Sequence, residues 1–312
     1  MIKTSVLQRM GSLLGLLLIC VILTFLSDNF LTVNNLLNVL RQVSINALIA
    51  LGMTYVILTG GIDLSVGSTL ALGSAITAGM ITSGLDPMLA VLIGLLVGAI
   101  LGAANGIIIS KGKVAPFIAT LATMTVYRGL TLVYTGGRPI TGLSDSDSVA
   151  FQMIGQGYLF GIPFPVIILL VSFVVLYFIL RRTTFGRSVY AVGGNEEASR
   201  LSGIKIDRVK IGVYTITGML SVLAGIILTS RLDSAQPTAG TAYELDAIAA
   251  VVLGGTSLSG GRGWIVGTII GALIIGVLNN GLNLLNVSSF FQQVVKGGVI
   301  LLAVLLDRNK AA

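Results

Sequence analysis

Long apolar stretches recur along the chain from residue 11 to residue 306, and short polar or glycine-rich joints separate them. A helix needs about 20 mostly apolar residues to cross a bilayer. A transmembrane barrel would instead alternate apolar and polar residues over segments of about ten, whereas runs such as 166–180 show no alternation. The pattern therefore predicts an all-α, polytopic transmembrane helical bundle of about ten spans, with an internal repeat and glycine-broken helices.

We expect these spans to form a single transmembrane domain over residues 1–312. No small-residue cleavage site follows the first apolar run, which is therefore expected to be an uncleaved span. The predicted spans cover residues 11–27, 43–59, 66–84, 87–110, 114–135, 163–180, 211–230, 245–257, 264–286 and 290–306.

The basic residues indicate the orientation of the spans. Most of the 19 Lys and Arg residues lie in joints on one side, whereas the opposite joints hold only Arg41, Arg138 and Arg231. Because basic residues concentrate in cytoplasmic loops, both termini are predicted to be cytoplasmic. The net charge of +7 belongs to these joints, so we expect a lipid bilayer as the partner surface and no nucleic acid.

Composition excludes several classes of function. The chain is 54% apolar and 10% charged, has no histidine, and its one cysteine, Cys20, lies within the first span. Disulfides, the usual zinc or copper sites and histidine-activated nucleophiles are therefore not expected, and we predict no catalytic residues, metal or cofactor. No P-loop pattern is present, so any ATP hydrolysis must come from another chain.

Two segments match each other without gaps as G-G-x-x-L-S-x-G, at residues 60–67 and 254–261. Paired glycine breaks in the two halves of a membrane protein indicate a transporter's substrate site. The alternative is close packing at helix crossings, which we favour for the ladder of Gly94, Gly98 and Gly102. Whether the two copies are parallel or inverted stays open, because the existence of the eighth span is uncertain.

Polar residues within the spans supply the remaining candidates. Asp63 can line a path or cap the following helix, Arg128 can contact a sugar or snorkel to the surface, and Lys296 is expected to pair with an acid of a neighbouring span. Asparagines suit a polyol but also join helices to one another, and Asn280 and Asn283 belong to this group. The predicted substrate-pathway residues are Asn46, Gly60, Gly61, Asp63, Asn105, Gly254, Gly255 and Asn279.

The basic segment 181–210 contains a short amphipathic run that ends at a glycine. Its apolar residues share one stripe, so it is predicted either to lie on the membrane or to dock into a groove on a cytoplasmic partner. The residues predicted to couple to such a partner are Glu196, Glu197, Ala198, Ser199, Leu201, Gly203 and Ile204.

Several of these stretches resemble one family. Glu197-Ala198 with Gly203 is similar to the E-A-A-x-x-x-G loop of bacterial ATP-binding-cassette importer permeases, although Ser199 replaces the second alanine. The stretches 58–67, 115–121 and 243–255, with Arg128-Gly129, resemble the permeases of the ribose, xylose and galactose importer group.

The resemblance covers nearly the whole chain and implies a permease that carries a monosaccharide, with ribose expected first, across the bacterial cytoplasmic (inner) membrane. It implies a permease homodimer, a cytoplasmic ATPase subunit with two nucleotide-binding domains, and an extracytoplasmic sugar-binding protein that the outer joint 136–162 contacts. The alternative is a secondary transporter driven by an ion gradient. Proton coupling generally uses buried carboxylates or histidines, and only Asp63 and Asp246 lie at suitable depth.

Overall fold

The computed structural model describes residues 2–143 and 149–308, so part of the predicted outer joint, at 144–148, lies outside the described residues. The described chain is all-helical, with 13 helices, 76% helix and a single two-stranded hairpin. The helical bundle predicted from hydropathy is therefore confirmed. The helices are α1 (Ile2–Leu26), α2 (Val33–Leu58), α3 (Val66–Thr82), α4 (Pro87–Ser110), α5 (Pro116–Thr135), α6 (Val149–Gln156), α7 (Phe164–Arg182), α8 (Thr184–Gly194), α9 (Glu196–Leu201), α10 (Ile206–Leu232), α11 (Tyr243–Leu253), α12 (Ile265–Leu284) and α13 (Ser289–Arg308).

Six described helices are long and apolar enough to cross a membrane, namely α2, α4, α5, α7, α10 and α12. Judged by length and composition, the described helices therefore supply six of the roughly ten predicted spans. The eighth predicted span, 245–257, coincides with α11, which has 11 residues. Such a helix is about 16 Å long and is shorter than the hydrocarbon core of about 30 Å, so α11 does not cross a bilayer by itself.

Burial separates a central group of helices from a peripheral group. In the most apolar windows of α2, α10 and α12, 61%, 61% and 67% of the residues are buried. In α4, α5 and α7 the corresponding fractions are 28%, 28% and 22%. A helix that is apolar all round and buried belongs to the core, whereas exposed apolar faces suit contact with lipid. The core of the bundle is therefore built on α2, α10 and α12.

Cross-helix contacts fix the direction of the two glycine breaks. On α2 and α12, Asn35 pairs with Asn280, and Thr54 lies 2.7 Å from Thr268. Residue numbers thus rise along one helix as they fall along the other, and α2 is antiparallel to α12. Helix α11 also runs antiparallel to α12 in the following hairpin, where Gly271 packs on the Ala250 carbonyl. Consequently α2 and α11 point the same way, and the two breaks are related as a parallel repeat.

The hairpin β1 (Tyr158–Leu159) and β2 (Ile162–Pro163) precedes α7 and packs on α2. The guanidinium of Arg41 on α2 lies 4.6 Å from the centroid of the Tyr158 ring. This distance is within the range of a cation–π contact. The hairpin is therefore attached to the first half of the central helix, at the end remote from the glycine break.

Candidate functional site

The first glycine break ends α2. Gly60 has a φ of 78°, a left-handed conformation that is readily accessible to glycine. Its N–H donates to the Ile57 carbonyl, and the N–H of Gly61 donates to the Val56 carbonyl. Left-handed glycines with such bonds are a common way to close the C-terminus of a helix. Gly60 and Gly61 thus end α2 and turn the chain toward α3.

A buried polar cluster fills the space after this turn. The Asp63 carboxylate, 2% exposed, accepts hydrogen bonds from the Ser65 N–H at 2.9 Å and the Ser65 hydroxyl at 2.6 Å. Asn105 on α4 donates to the Ser65 hydroxyl oxygen at 2.8 Å. The carboxylate therefore closes an Asx turn just before α3, whose N-cap residue is Ser65, so Asp63 does not cap the helix itself. Asp63 and Asn105, both predicted as pathway residues, are joined through Ser65.

The second break ends α11 in a similar way. Gly255 has a φ of 85°, and the indole N–H of Trp264 donates to the Gly254 carbonyl at 2.9 Å. A Cβ on Gly267 would collide with the same carbonyl, so α12 approaches the break at backbone distance. Gly254 and Gly255 therefore end α11. Because Gly254 has no side chain, α12 can pack closely against this end.

The two breaks contact each other. The N–H of Gly261, which follows the second break, donates to the Leu58 carbonyl at the end of α2, at 2.9 Å. A Cβ on Gly260 would lie 2.9 Å from the Gly60 nitrogen. The repeated G-G motifs thus form one irregular cluster, which we call the break cluster (residues 58–61 and 254–263).

Helix α8 packs directly on the break cluster and is a feature that hydropathy missed. A Cβ on Gly193 would collide with the Leu58 carbonyl, and the Tyr190 hydroxyl donates to the Gly263 carbonyl at 3.0 Å. Burial raises the pKa of Tyr190, and the charge of Arg181 lowers it by less, so the phenol keeps the proton that it donates. The available signal was the Gly193-Gly194 pair, which lies next to the amphipathic run.

The remaining predicted pathway residues lie elsewhere. Along their helix axes, Asn46 on α2 is about 18 Å from the break cluster and Asn279 is about 21 Å from the start of α12, where the cluster lies. Asn46 is half-buried amid fully buried neighbours, and the buried Asn279 carbonyl oxygen has no hydrogen-bond partner among the described residues. Asn280, in contrast, pairs with Asn35 and joins two helices. The structure therefore brings six of the predicted pathway residues near the break cluster and leaves Asn46 and Asn279 away from it.

An irregular segment, residues 233–242, joins α10 to α11. Arg128 on α5 donates to the carbonyls of Pro237 at 2.7 Å and Ala239 at 2.8 Å. Gly240 packs against Gly67 in the first turn of α3. Arg128 thus binds the backbone of this segment, whereas the sequence predicted sugar contact or snorkelling to the surface. Irregular backbone inside a membrane bundle must be buried or must line a water-filled cavity, so this segment joins the candidate site.

The partner of Lys296 is Asp246. The Lys296 ammonium on α13 lies 3.0 Å from the Asp246 carboxylate on α11, with the side chains 28% and 6% exposed. The predicted pairing with an acid of a neighbouring helix is therefore present. This pair attaches the last helix, α13, to the half-length helix α11.

We expect Asp246→Asn and Lys296→Met to destabilise the protein singly by about 3 kcal/mol each, because either change leaves one charge buried without its partner. The double variant should recover at least half of that loss, because no unpaired charge remains. A double-mutant cycle on thermal unfolding of the purified chain measures the coupling. Additive losses would contradict the pairing.

The amphipathic run of the segment 181–210 forms α9. The Asn195 side chain accepts from the Ala198 N–H at 2.9 Å, and Gly203, with a φ of 84°, follows the helix. Leu201 is 89% exposed, while Ser199 is 5% exposed and faces the protein. Lys210 binds Glu196 at 2.8 Å and thereby ties α9 to α10. The leucine of the apolar stripe is therefore free to contact a partner, whereas Ile204 is half-buried against its own chain.

Comparison with known proteins gives consistent matches. The family described as "Branched-chain amino acid transport system / permease component" matches residues 35–304. The ribose import permease protein RbsC of Bacillus subtilis (strain 168) is 66% identical over 99% of this chain and 95% of its own. RbsC of Escherichia coli (strain K12) is 55% identical over 97% and 95% of the two chains, and the D-allose transport system permease protein AlsC of the same strain is 43% identical over 96% and 92%. No solved structure gives a significant match.

Proposed function

Since the chain belongs to the permease-component family that matches residues 35–304, we propose that it is the membrane-spanning subunit of an ATP-binding-cassette importer that carries ribose into the cytoplasm. The observation that carries the proposal is the identity of 66% and 55% to two ribose import permeases over nearly their whole lengths. The allose permease is less similar, at 43%. A transport subunit of this kind is not an enzyme, and the ATP is hydrolysed by a partner.

The proposed topology has ten spans in a single domain over residues 1–312. Helices α1, α3 and α13 add to the six long helices, and the segment 233–242 together with α11 forms the remaining crossing. The irregular segment supports this count, because it adds to the 16 Å or so of α11. Both termini are then cytoplasmic, in agreement with the distribution of basic residues, and the protein lies in the bacterial cytoplasmic membrane.

The proposed substrate path passes the break cluster and the segment 233–242. Paired interruptions of helices are the usual place for a transporter's binding site. Thr238 and Thr241 are exposed beside Leu245, which is 47% exposed. Exposed hydroxyl groups are unfavourable against lipid, so they support a water-filled path that runs between two copies of the permease. The residues proposed to line or shape the path are Asn46, Gly60, Gly61, Asp63, Asn105, Gly254, Gly255 and Asn279.

Coupling to ATP hydrolysis is proposed to pass from α9 through α8 to the break cluster. The exposed Leu201 would dock on a cytoplasmic ATPase with two nucleotide-binding domains. Gly193 and Tyr190 on α8 touch both glycine breaks, so a displacement of α9 has a short packed route to the path. The outer joint 136–162 is proposed to receive an extracytoplasmic sugar-binding protein.

Uptake of labelled ribose tests this function. In cells that lack their own ribose permease, the chain expressed with its ATPase and binding protein should restore uptake above the background of cells without it. Uptake should stop when ATP hydrolysis is blocked and should persist when ionophores collapse the ion gradients at a constant ATP level. Unlabelled allose and xylose should compete less well than ribose. Uptake that follows an ion gradient without the ATPase would instead establish a secondary transporter.

A further inference from the structure

A cavity of about 1190 Å³ opens between two joints of the chain. One wall is the joint between α4 and α5, and the other is the joint from α9 into α10. In the proposed topology both joints lie at the cytoplasmic membrane surface. The basic side chains that line the cavity are Lys111, Lys113, Arg200, Lys205, Arg208 and Lys210, and the acidic ones are Glu196 and Asp207.

The positive charge of this cavity is only partly neutralised within the chain. Glu196 is engaged by Lys210 at 2.8 Å and by Arg200 at 3.5 Å. Four cations form no ion pair among the described residues, and a single carboxylate, Asp207, stands against them in the lining. These four are Lys111, Lys113, Lys205 and Arg208. The cavity thus presents a net positive charge that a bound anion would neutralise.

Two helix N-termini add to this field. Helix α5 begins at Pro116 after Ala115, and α10 begins at Ile206 after Lys205. Neither N-terminus has a side-chain cap, and all four of these residues line the cavity. The positive end of each helix dipole favours an anion. The free N–H groups in the first turn of α10 can also bind a phosphate group, whereas Pro116 of α5 has no N–H to donate. The unpaired cations and the uncapped helix ends therefore both favour an anionic ligand that carries a phosphate group.

The walls of the cavity are also apolar and continue onto a membrane-facing surface. Ile109 and Val114 belong to the lining. Beside them, Ile107, Phe117 and Ile118 on α4 and α5 are 44%, 51% and 56% exposed. These helices carry the exposed apolar faces of the bundle, so a ligand in the cavity can extend onto a surface that contacts acyl chains. A free inorganic anion would leave this apolar extension unused.

We propose that this cavity binds the headgroup phosphate of an anionic phospholipid from the cytoplasmic leaflet, with the acyl chains lying along α4 and α5. Basic pockets between transmembrane helices on the cytoplasmic side bind such headgroups in general. The lipid bridges Lys111 and Lys113 to the start of α10, which Lys210 and Glu196 connect to α9. The bilayer would thereby set the position of the same short helix that we propose to dock on the ATPase.

Native mass spectrometry of the purified full-length chain tests the proposal, with phosphatidylglycerol, phosphatidylcholine and inorganic phosphate as probes. The wild-type chain should retain phosphatidylglycerol in preference to phosphatidylcholine. In the double variant Lys111→Gln, Lys113→Gln, this preference should fall about fivefold for each cation removed. The matched control, Arg182→Gln with Arg187→Gln, removes the same charge from exposed cytoplasmic positions outside the cavity and should retain the preference.

A second measurement on the unaltered protein does not depend on the variants. Amine-reactive labelling of Lys111 and Lys113 should be slower in phosphatidylglycerol nanodiscs than in phosphatidylcholine nanodiscs. Equal labelling, or equal losses in both double variants, would overturn the proposal. Displacement of the lipid by millimolar phosphate would assign the cavity to a free anion. Protection by the ATPase that is unaffected by lipid would assign it to the protein partner, and either result refutes lipid binding.

Discussion

Gly102→Ala should force α4 away from α10, destabilise the protein by about 3 kcal/mol and lower its amount in the membrane several-fold. A Cβ on Gly102 would collide with the Tyr214 carbonyl and would lie 3.1 Å from the Thr215 Cα. Both obstacles are backbone, so no side-chain rotation relieves them and the helices must separate. Overpacking a filled interior costs about 1–3 kcal/mol. Gly98 and Gly106 also meet backbone of α10, at 2.6 Å, so the helices cannot slide to relieve the clash. We therefore expect the upper end of this range, measured by thermal unfolding after extraction in mild detergent.

The matched control is Gly129→Ala on α5. A Cβ at this glycine meets nothing within 4 Å, so the same chemical change carries no steric cost. We expect an unchanged unfolding temperature, or a gain of about 0.5–1 kcal/mol from the higher helix propensity of alanine. If Gly102→Ala unfolded at the same temperature as Gly129→Ala, the contact between α4 and α10 would not depend on its glycines.

The glycine ladder on α4 was predictable because its cause is local. A small residue at every fourth position indicates a helix face that another helix approaches closely, and α10 packs on that face. Gly98 would place a Cβ 2.6 Å from the Gly218 carbonyl, and the spacing continues to Gly106, where the Ile211 Cα lies at 2.6 Å. The partner helix, in contrast, was not predictable, because spacing describes one surface and says nothing about which segment covers it.

Helix boundaries followed the sequence where local chemistry marks them. The predicted span 87–110 coincides with α4, whose Asp86 side chain accepts from the Leu89 N–H before Pro87 opens the helix. The eighth span was harder to predict, because hydropathy averages over a window and cannot separate a helix from an irregular segment within the bundle. Residues 233–242 owe their shape to Arg128, which lies more than 100 residues earlier in the chain.

The sequence indicated the glycines of the candidate site better than its asparagines. A repeated G-G break is visible in the sequence, and the structure joins its copies through Gly261 and Leu58. Asn46 and Asn279 were chosen for their chemistry alone, and chemistry does not reveal which way a helix faces. Lys296 required an acid, but only folding selects Asp246 from among the carboxylates of the chain.

Leu201→Asp should abolish ribose uptake and weaken binding of the ATPase on the order of 100-fold, a loss typical of a central interface residue. The leucine side chain is 89% exposed, so the substitution removes little packing within the chain itself. The aspartate would instead carry an unpaired charge into the apolar groove that we propose as the docking site. Co-purification of the ATPase with the tagged permease, together with uptake in cells, measures both effects.

Thr184→Asp is the matched control, because it adds the same charge at another exposed position of the segment 181–210. It lies in the first turn of α8, where a carboxylate interacts favourably with the helix dipole, so folding, ATPase binding and uptake should all persist. A permease with Leu201→Asp that still bound the ATPase would show that α9 is not the coupling element. If it bound the ATPase but did not transport, docking and transmission would be separate functions, and the contacts of α8 with the break cluster through Gly193 and Tyr190 would become the next positions to change.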